Sequence, residues 1–124
     1  MREEKINKFL EYALKRFDNF SMYRSDVEDV INVYLGKTFI ALPELIRLEN
    51  EFEADVTFEV NEGDKEGEYG VIDIEIILPF EILNRKAVVK TWVENNDEFQ
   101  PIGVFKEYED YIRKNTDKLN VNFV

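Results

Sequence analysis

The sequence predicts an α+β fold in which N-terminal helices pack on a small, mostly antiparallel sheet and a C-terminal helix completes the layer. The first observation is a change of hydrophobic period: apolar residues recur with helical spacing up to residue 50 and then alternate with polar residues through residue 78. The second is composition. With 124 residues, 44% of them hydrophobic and 14% aromatic, the chain suits a single domain over residues 1–124 with its own core.

The first predicted element is an amphipathic helix over residues 4–20. Its apolar side chains follow the i, i+3, i+4, i+7 pattern of a helix with one buried face. First helices of this kind usually cover a sheet or a bundle, so we assign the apolar stripe to the core and not to a partner. The stripe consists of Ile6, Phe9, Leu10, Ala13, Leu14, Phe17 and Phe20.

Two shorter helices are predicted next. Ser25–Glu28 has the form of a capping box, with a hydroxyl at the N-cap and a carboxylate three residues later, and Gly36 suits the end of the same helix. These signals predict a second helix over about residues 26–35. Pro43 suits the first turn of a third helix over about residues 43–50.

Strands are predicted after these helices, as a hairpin followed by a third strand. Residues 51–61 and 69–78 each alternate between apolar and polar side chains, and the polar, glycine-containing segment between them predicts a turn. Residues 87–94 are rich in β-branched side chains and predict the third strand. A final helix is predicted around residues 104–112. The tail from residue 119 alternates weakly, so it either adds an edge strand or stays unpaired.

The outer face of the predicted hairpin is acidic. With Tyr69 paired to the end of the first strand, Asp55 lies opposite Glu75 and Thr57 lies opposite Asp73. Directly opposed carboxylates repel each other, so such a face calls for a nearby cation, a bound metal or a basic partner. Equivalent side chains along a strand are about 6.6 Å apart, roughly two phosphate steps of a DNA strand. The ladder could therefore occupy a phosphate-binding groove as a nucleic-acid mimic.

The charge of the chain is concentrated in its middle block. Residues 25–84 contain sixteen Asp/Glu and three Lys/Arg, a net charge of −13, whereas residues 1–24 carry +2 and residues 85–124 carry 0. A block of one sign attracts basic partners and repels nucleic acid and anionic membranes. The alternative is a solvated face whose charge prevents edge aggregation. The predicted partner-binding residues are Glu51, Glu53, Asp55, Glu59, Glu62, Asp64, Glu66, Glu68, Asp73 and Glu75.

Composition excludes several kinds of chemistry. The chain has no Cys and no His, which removes thiolate catalysis, imidazole metal ligands and the common catalytic triads. The acidic turn over residues 62–68 lacks the ligand order and the flanking helices of a calcium loop. We therefore predict no metal and no cofactor. The N-terminal residues lack an apolar signal core, and no segment approaches about 18 continuous apolar residues, which predicts a soluble, cytoplasmic protein.

The favoured function is a small, non-enzymatic inhibitor that docks its acidic face on a basic partner protein. A nucleic-acid-handling partner, such as a nuclease or a DNA-targeting complex, is the natural target class. Immunity proteins and phage-encoded anti-defence proteins work in this way. The analogy concerns the mode of inhibition and does not rest on a sequence match. The prediction includes no direct contact with nucleic acid or membrane, and it leaves a homodimer open.

Two other functions remain as alternatives. One is an assembly or chaperone-like protein whose acidity gives solubility and whose apolar stripes bind client segments. The other is an enzyme that holds Mg²⁺ or Ca²⁺ among carboxylates. Asp73 followed by Lys90 resembles the arrangement of restriction-endonuclease-like nucleases, but Val88 stands where that pattern needs a Glu or Gln ligand. The favoured interpretation of Lys90 is that it neutralises Asp73 or Glu75 across the sheet.

Overall fold

The computed structural model describes residues 2–17, 19–36, 39–63, 69–96, 100–101 and 103–124. Within these residues the chain forms three helices and six strands. The helices are α1 (Arg2–Arg16), α2 (Leu42–Phe52) and α3 (Val104–Lys114). The strands are β1 (Ser21–Arg24), β2 (Val30–Tyr34), β3 (Asp55–Asn61), β4 (Val71–Ile82), β5 (Arg85–Glu94) and β6 (Asn120–Phe123).

The described strands form one sheet in the order β1-β2-β5-β4-β3-β6. The pairs β2–β5 and β3–β6 are parallel, and the other three pairs are antiparallel. This arrangement confirms the predicted α+β class, with helices packed on a mostly antiparallel sheet and a C-terminal helix. The tail forms the edge strand β6, which was one of its two predicted outcomes.

All three helices pack on the same face of the sheet. Every second residue of β3 and β4 is buried, and these side chains join one hydrophobic cluster with the buried faces of α1, α2 and α3. The alternating side chains of the same strands are exposed or half-buried. Packing the helices on one face of the sheet removes the apolar surface of the helices and of that face from water. The opposite face is left to water or to a partner.

The apolar stripe of α1 is confirmed as core except at Leu10, which is half-buried and outside the core cluster, and at Leu14. Phe9 and Ala13 are fully buried and Phe17 nearly so, whereas Leu14 is 71% exposed. The helix ends at Arg16, four residues before the predicted end, so Phe20 packs on the core from outside the helix.

The predicted second helix over residues 26–35 is wrong. Val30–Tyr34 is the strand β2, which runs parallel to β5 and buries Ile31 and Val33 on alternate positions. The Ser25 hydroxyl does accept hydrogen bonds from the backbone N–H groups of Val27 and Glu28, at 3.2 and 2.9 Å. The capping interaction thus forms on an isolated turn, because the β-branched residues that follow pair with a distant strand.

Gly36 ends β2 and does not cap a helix. Its φ is +82°, and a Cβ at this position would lie 2.0 Å from the backbone carbonyl oxygen of Asn19. Only glycine allows this approach between the start of β1 and the end of β2.

Strand boundaries also differ from the prediction. The third predicted helix is confirmed as α2 but extends to Phe52, and Glu53 ends it with a left-handed φ of 55°. The strand β3 therefore begins at Asp55 and not at residue 51. The strand β4 continues past Pro79 to Ile82, and its pairing with β5 is irregular between Ile77 and Glu81. Proline, which has no backbone N–H to donate, is tolerated at such an irregularity.

The predicted register of the hairpin is wrong by two residues. Asn61 pairs with Val71 and not near Tyr69, because the connection between β3 and β4 is longer than expected. Just before β4, a Cβ at Gly70 would lie 2.9 Å from the Phe105 ring and 3.2 Å from the carbonyl oxygen of Glu62. The chain thus passes close to α3 before β4 begins.

Candidate functional site

The candidate site lies on the sheet face opposite the helices, which we call the open face. Its central part is carried by β5, β4 and β3, three neighbouring strands. Because side chains alternate across a strand, the residues between the buried positions all point to this face. Its central side chains are Thr57 and Glu59 from β3, Asp73 and Glu75 from β4, and Lys90 and Trp92 from β5.

The corrected register arranges these six side chains in two rows across the strands. In one row Trp92 pairs with Asp73, and Asp73 pairs with Glu59. In the other row Lys90 pairs with Glu75, and Glu75 pairs with Thr57. The opposed carboxylates are therefore Glu59 and Asp73, and not Asp55 and Glu75 as predicted. Directly opposed side chains have Cβ atoms about 4.5–5.5 Å apart, so the two negative charges repel each other.

A cavity of about 530 Å³ covers these rows. Tyr34 of β2 forms part of its wall, beside the strand that carries Trp92. The cavity thus combines three carboxylates with two aromatic rings on one concave surface. Its lining residues are Tyr34, Thr57, Glu59, Asp73, Ile74, Glu75, Lys90, Thr91 and Trp92.

Among the described residues, the three carboxylates of the cavity form no ion pair of their own. In the described part of the chain, no Lys or Arg nitrogen lies within 4.0 Å of Glu59, Asp73 or Glu75. Lys90 is the cross-strand neighbour of Glu75, yet its Nζ donates to the two carboxylate oxygens of Glu28 at 2.9 and 3.1 Å. The one cation of the cavity is therefore neutralised from outside it.

The turn that holds Glu28 is fixed against β5 by two ion pairs. Besides the Lys90–Glu28 pair, Arg85 contacts Asp29 at 2.8 Å. The hydrogen bonds to Glu28 are the largest cause of a raised pKa of Lys90, and the negative charge of Glu75 adds to the effect. Ser25 orders the same turn through its hydroxyl, which gives the misread capping box a structural role.

The aromatic side of the cavity is ordered by its own contacts. The indole Nε1 of Trp92 donates to a carboxylate oxygen of Glu94 at 3.1 Å, which fixes the ring on the open face. Tyr34 contacts Tyr23 edge to face, with ring centroids 5.5 Å apart. Trp92 and Tyr34 remain 39% and 48% exposed. Exposed, oriented aromatic rings of this kind are enriched in protein interfaces.

The other predicted binding residues do not join this cavity. Asp55 lies on the open face, opposite Ile77. Glu62 follows β3 and forms an ion pair with Arg113 of α3. Glu51 belongs to α2, where it pairs with Arg47 at 3.0 Å, and Glu53 lines a separate cavity with Lys5 and Lys8. Asp64, Glu66 and Glu68 lie outside the described residues.

The sequence interpretation missed the aromatic half of the site. The sequence prediction places Tyr34 in a helix, whereas it lies in β2, and it gives Trp92 of β5 no role beyond its strand. The run Val-Ile-Asn-Val-Tyr over residues 30–34 contains the strand signal, because three of its five residues are β-branched. The partnership of Lys90 with Glu28 could not be read from the sequence, since it depends on where the turn packs.

Comparisons with protein families, with curated proteins and with solved structures find no match to this chain. Among the described residues, no group of three or more Asp or Glu side chains is arranged to hold a metal ion. None of the described helices is both long and apolar enough to cross a membrane. The site is therefore characterised by its own geometry, as an acidic cavity with an aromatic wall on an uncovered sheet face.

We expect Glu28→Gln to lower the pKa of Lys90, because the substitution removes the charged acceptor that raises it. A Lys pKa raised by folding stabilises the protein below the ordinary Lys value, and this stabilisation is lost as the pH rises through the raised pKa. The variant should thus lose a contribution present at neutral pH, about 0–1 kcal/mol for an exposed pair. An NMR titration of the Lys90 Cε signal measures the shift directly.

The matched control is Asp26→Asn in the same turn, which changes the net charge equally but leaves both oxygens of Glu28 in place. It should move the Lys90 pKa much less than Glu28→Gln does. Equal shifts in the two variants would contradict a specific contact and indicate only a general effect of the charge of the turn.

Proposed function

We propose that this protein is a non-enzymatic binding protein that inhibits a basic, nucleic-acid-handling protein by docking its open face on it. Glu59, Asp73 and Glu75 supply the negative charge, and Trp92 and Tyr34 supply the apolar contact. The target class is a nuclease or a DNA-targeting complex, whose basic groove normally receives phosphates. An inhibitor of the immunity or anti-defence type would act in the cytosol by occupying that groove.

The observation that carries the proposal is the uncompensated charge of the cavity. Carboxylates that only keep a surface solvated are usually interspersed with Lys and Arg. Here Lys90 pairs with Glu28, while Glu59, Asp73 and Glu75 form no ion pair with any described residue. Three carboxylates and one paired lysine leave the cavity with an excess of negative charge that can attract a basic partner. A cavity with aromatic walls adds desolvated contact area, which acidity alone would not supply.

The positive side chains on the helical side of the molecule also support docking through the open face. A groove of about 390 Å³ between α1 and α2 is lined by Lys8, Lys15, Arg16 and Arg47, with Glu11 and Glu51 among them. This groove lies on the helical side, away from the open face. A basic partner is thus attracted to one side of the molecule and not to the other, which would orient the first encounter.

The proposal is tested by affinity capture followed by binding measurements on the purified partner. The immobilised wild-type chain is used as bait beside the neutralised variant Glu59→Gln/Asp73→Asn/Glu75→Gln. We expect a basic protein to be retained by the wild type and lost from the variant. The matched control is Glu11→Gln/Glu107→Gln/Asp110→Asn, three exposed carboxylates on α1 and α3.

The control variant should retain the partner at the wild-type affinity, since its charges lie on the helical side. Loss of the partner from both variants would show that only net charge matters. Retention by both would mean that the open face is a solvated surface and that the binding site lies elsewhere.

A further inference from the structure

We infer that the cavity of the open face recognises arginine side chains of the partner in preference to lysine. This inference rests on the proposed function and adds to it the chemical identity of the group that is bound. The occupant is an arginine-rich surface segment of a basic protein.

The charge of the cavity calls for a cation. Glu59, Asp73 and Glu75 provide three negative charges, and the positive charge of Lys90 is balanced by Glu28. Asp73 and Glu75 are two residues apart on β4, so they are about 6.6 Å apart along the strand. A cation placed between the rows can approach Asp73 together with Glu59 or Glu75.

The aromatic wall distinguishes between cations. The faces of Trp and Tyr rings attract positive charge, and Trp gives the strongest effect. Guanidinium is planar and weakly hydrated, so it stacks on an aromatic ring while its N–H groups pair with a carboxylate at the ring edge. The ammonium group of lysine is a compact, strongly hydrated charge and gains less from the same surface. Asp73, paired directly with Trp92 across the strands, offers a carboxylate beside a ring.

Two arginines among the described residues already show this combination. Arg47 lies 5.2 Å from the ring centroid of Tyr12 and at the same time pairs with Glu51 at 3.0 Å. Arg113 lies 5.7 Å from the ring centroid of Phe123 and pairs with Glu62. In both cases an aromatic ring and a carboxylate share one guanidinium. The cavity presents the same two groups, at Trp92 and Asp73, without the arginine.

The test compares a tetra-arginine peptide with a tetra-lysine peptide, which carry equal charge, at one ionic strength. Trp92 is the sole tryptophan of the chain, so its fluorescence reports occupancy of the cavity. We expect the arginine peptide to bind about three- to fivefold more tightly, the size of one exposed cation–π contact. Calorimetry on Trp92→Leu should show both peptides still bound, with the preference reduced to about one.

The controls separate the aromatic contribution from charge. Glu75→Gln should weaken both peptides, and Glu107→Gln on α3 should weaken neither. If Trp92→Leu fails to fold by circular dichroism, Tyr34→Leu replaces it, and a reduced preference is again expected. Equal affinities of the two peptides for the wild type, or a preference that survives removal of the rings, would overturn the inference.

Failure of this inference can be told from failure of the proposed function. If the peptides bind equally while the neutralised variant still loses the purified partner, only the arginine preference is wrong. If the arginine preference is found but the partner binds the neutralised variant unchanged, the cavity selects arginine and the proposed docking function is wrong.

Discussion

Replacing Phe9 with alanine is expected to lower the free energy of unfolding by about 3–5 kcal/mol, the usual cost of removing a buried phenylalanine. Phe9 of α1 is fully buried and contacts Phe52 of α2 edge to face, with ring centroids 5.9 Å apart. It also contacts Phe80 of β4 at 5.6 Å. One ring thus joins two helices to the sheet, and its loss leaves a cavity between three elements. Chemical denaturation monitored by circular dichroism measures the change.

The control for Phe9→Ala is Leu14→Ala on the same helix. Leu14 is 71% exposed, so its truncation should change stability by no more than about 0.5 kcal/mol. Both substitutions introduce alanine, the best helix former, so propensity does not explain a difference between them. If the two variants unfold at the same denaturant concentration, α1 is not a structural part of the core and the layer described here is wrong.

Reversing two charges of the open face, with Glu59→Lys/Glu75→Lys, is expected to slow association with a basic partner by a factor of at least about ten at low salt. Electrostatic steering contributes 10- to 1,000-fold to association rates, and the double variant reverses the field where the partner approaches. The difference should shrink as salt rises, because the screening length falls from about 10 Å at 0.1 M to about 3 Å at 1 M. Stopped-flow or surface-binding kinetics measure it.

The same variant should change stability by less than about 1 kcal/mol, and this separates function from folding. Glu59→Lys turns the repulsive pair with Asp73 into an attractive one, whereas Glu75→Lys places two positive charges opposite each other at Lys90, so the two effects offset each other. The control Glu11→Lys/Glu107→Lys changes the net charge equally on the helical side. Association rates that fall equally in both variants would show that the open face has no special role.

The position of Glu28 adds a condition to these experiments. This carboxylate accepts both hydrogen bonds that the Lys90 ammonium group donates, although Glu75 is the cross-strand neighbour of Lys90. A substitution at position 28 would free the ammonium group to neutralise the open face without altering any of its carboxylates. Binding data for variants of the turn should therefore be interpreted together with a measurement of whether the Lys90 ammonium group is still paired or is free.

Local patterns in the sequence determined the helical layer and the hairpin. The stripe of α1, Pro43 in the first turn of α2 and the alternation of β3 and β4 each act within a few residues, so periodicity and turn chemistry are enough to predict them. The concentration of acidic residues in the middle block is likewise a property of the sequence alone. It predicted an acidic outer face before any pairing was known.

Tertiary structure decided which acidic residues act together. The turn capped by Ser25 satisfies a helix signal locally, but the next five residues gain more by pairing with β5, some fifty residues away. The observed register pairs Asn61 with Val71, two residues from the predicted partner, which makes Glu59 the residue opposite Asp73. Both outcomes depend on contacts between distant segments, and a single sequence does not encode these as a local pattern. The aromatic wall of the cavity follows from the same long-range pairing, because the parallel β2–β5 contact brings Tyr34 into the cavity that Trp92 also lines.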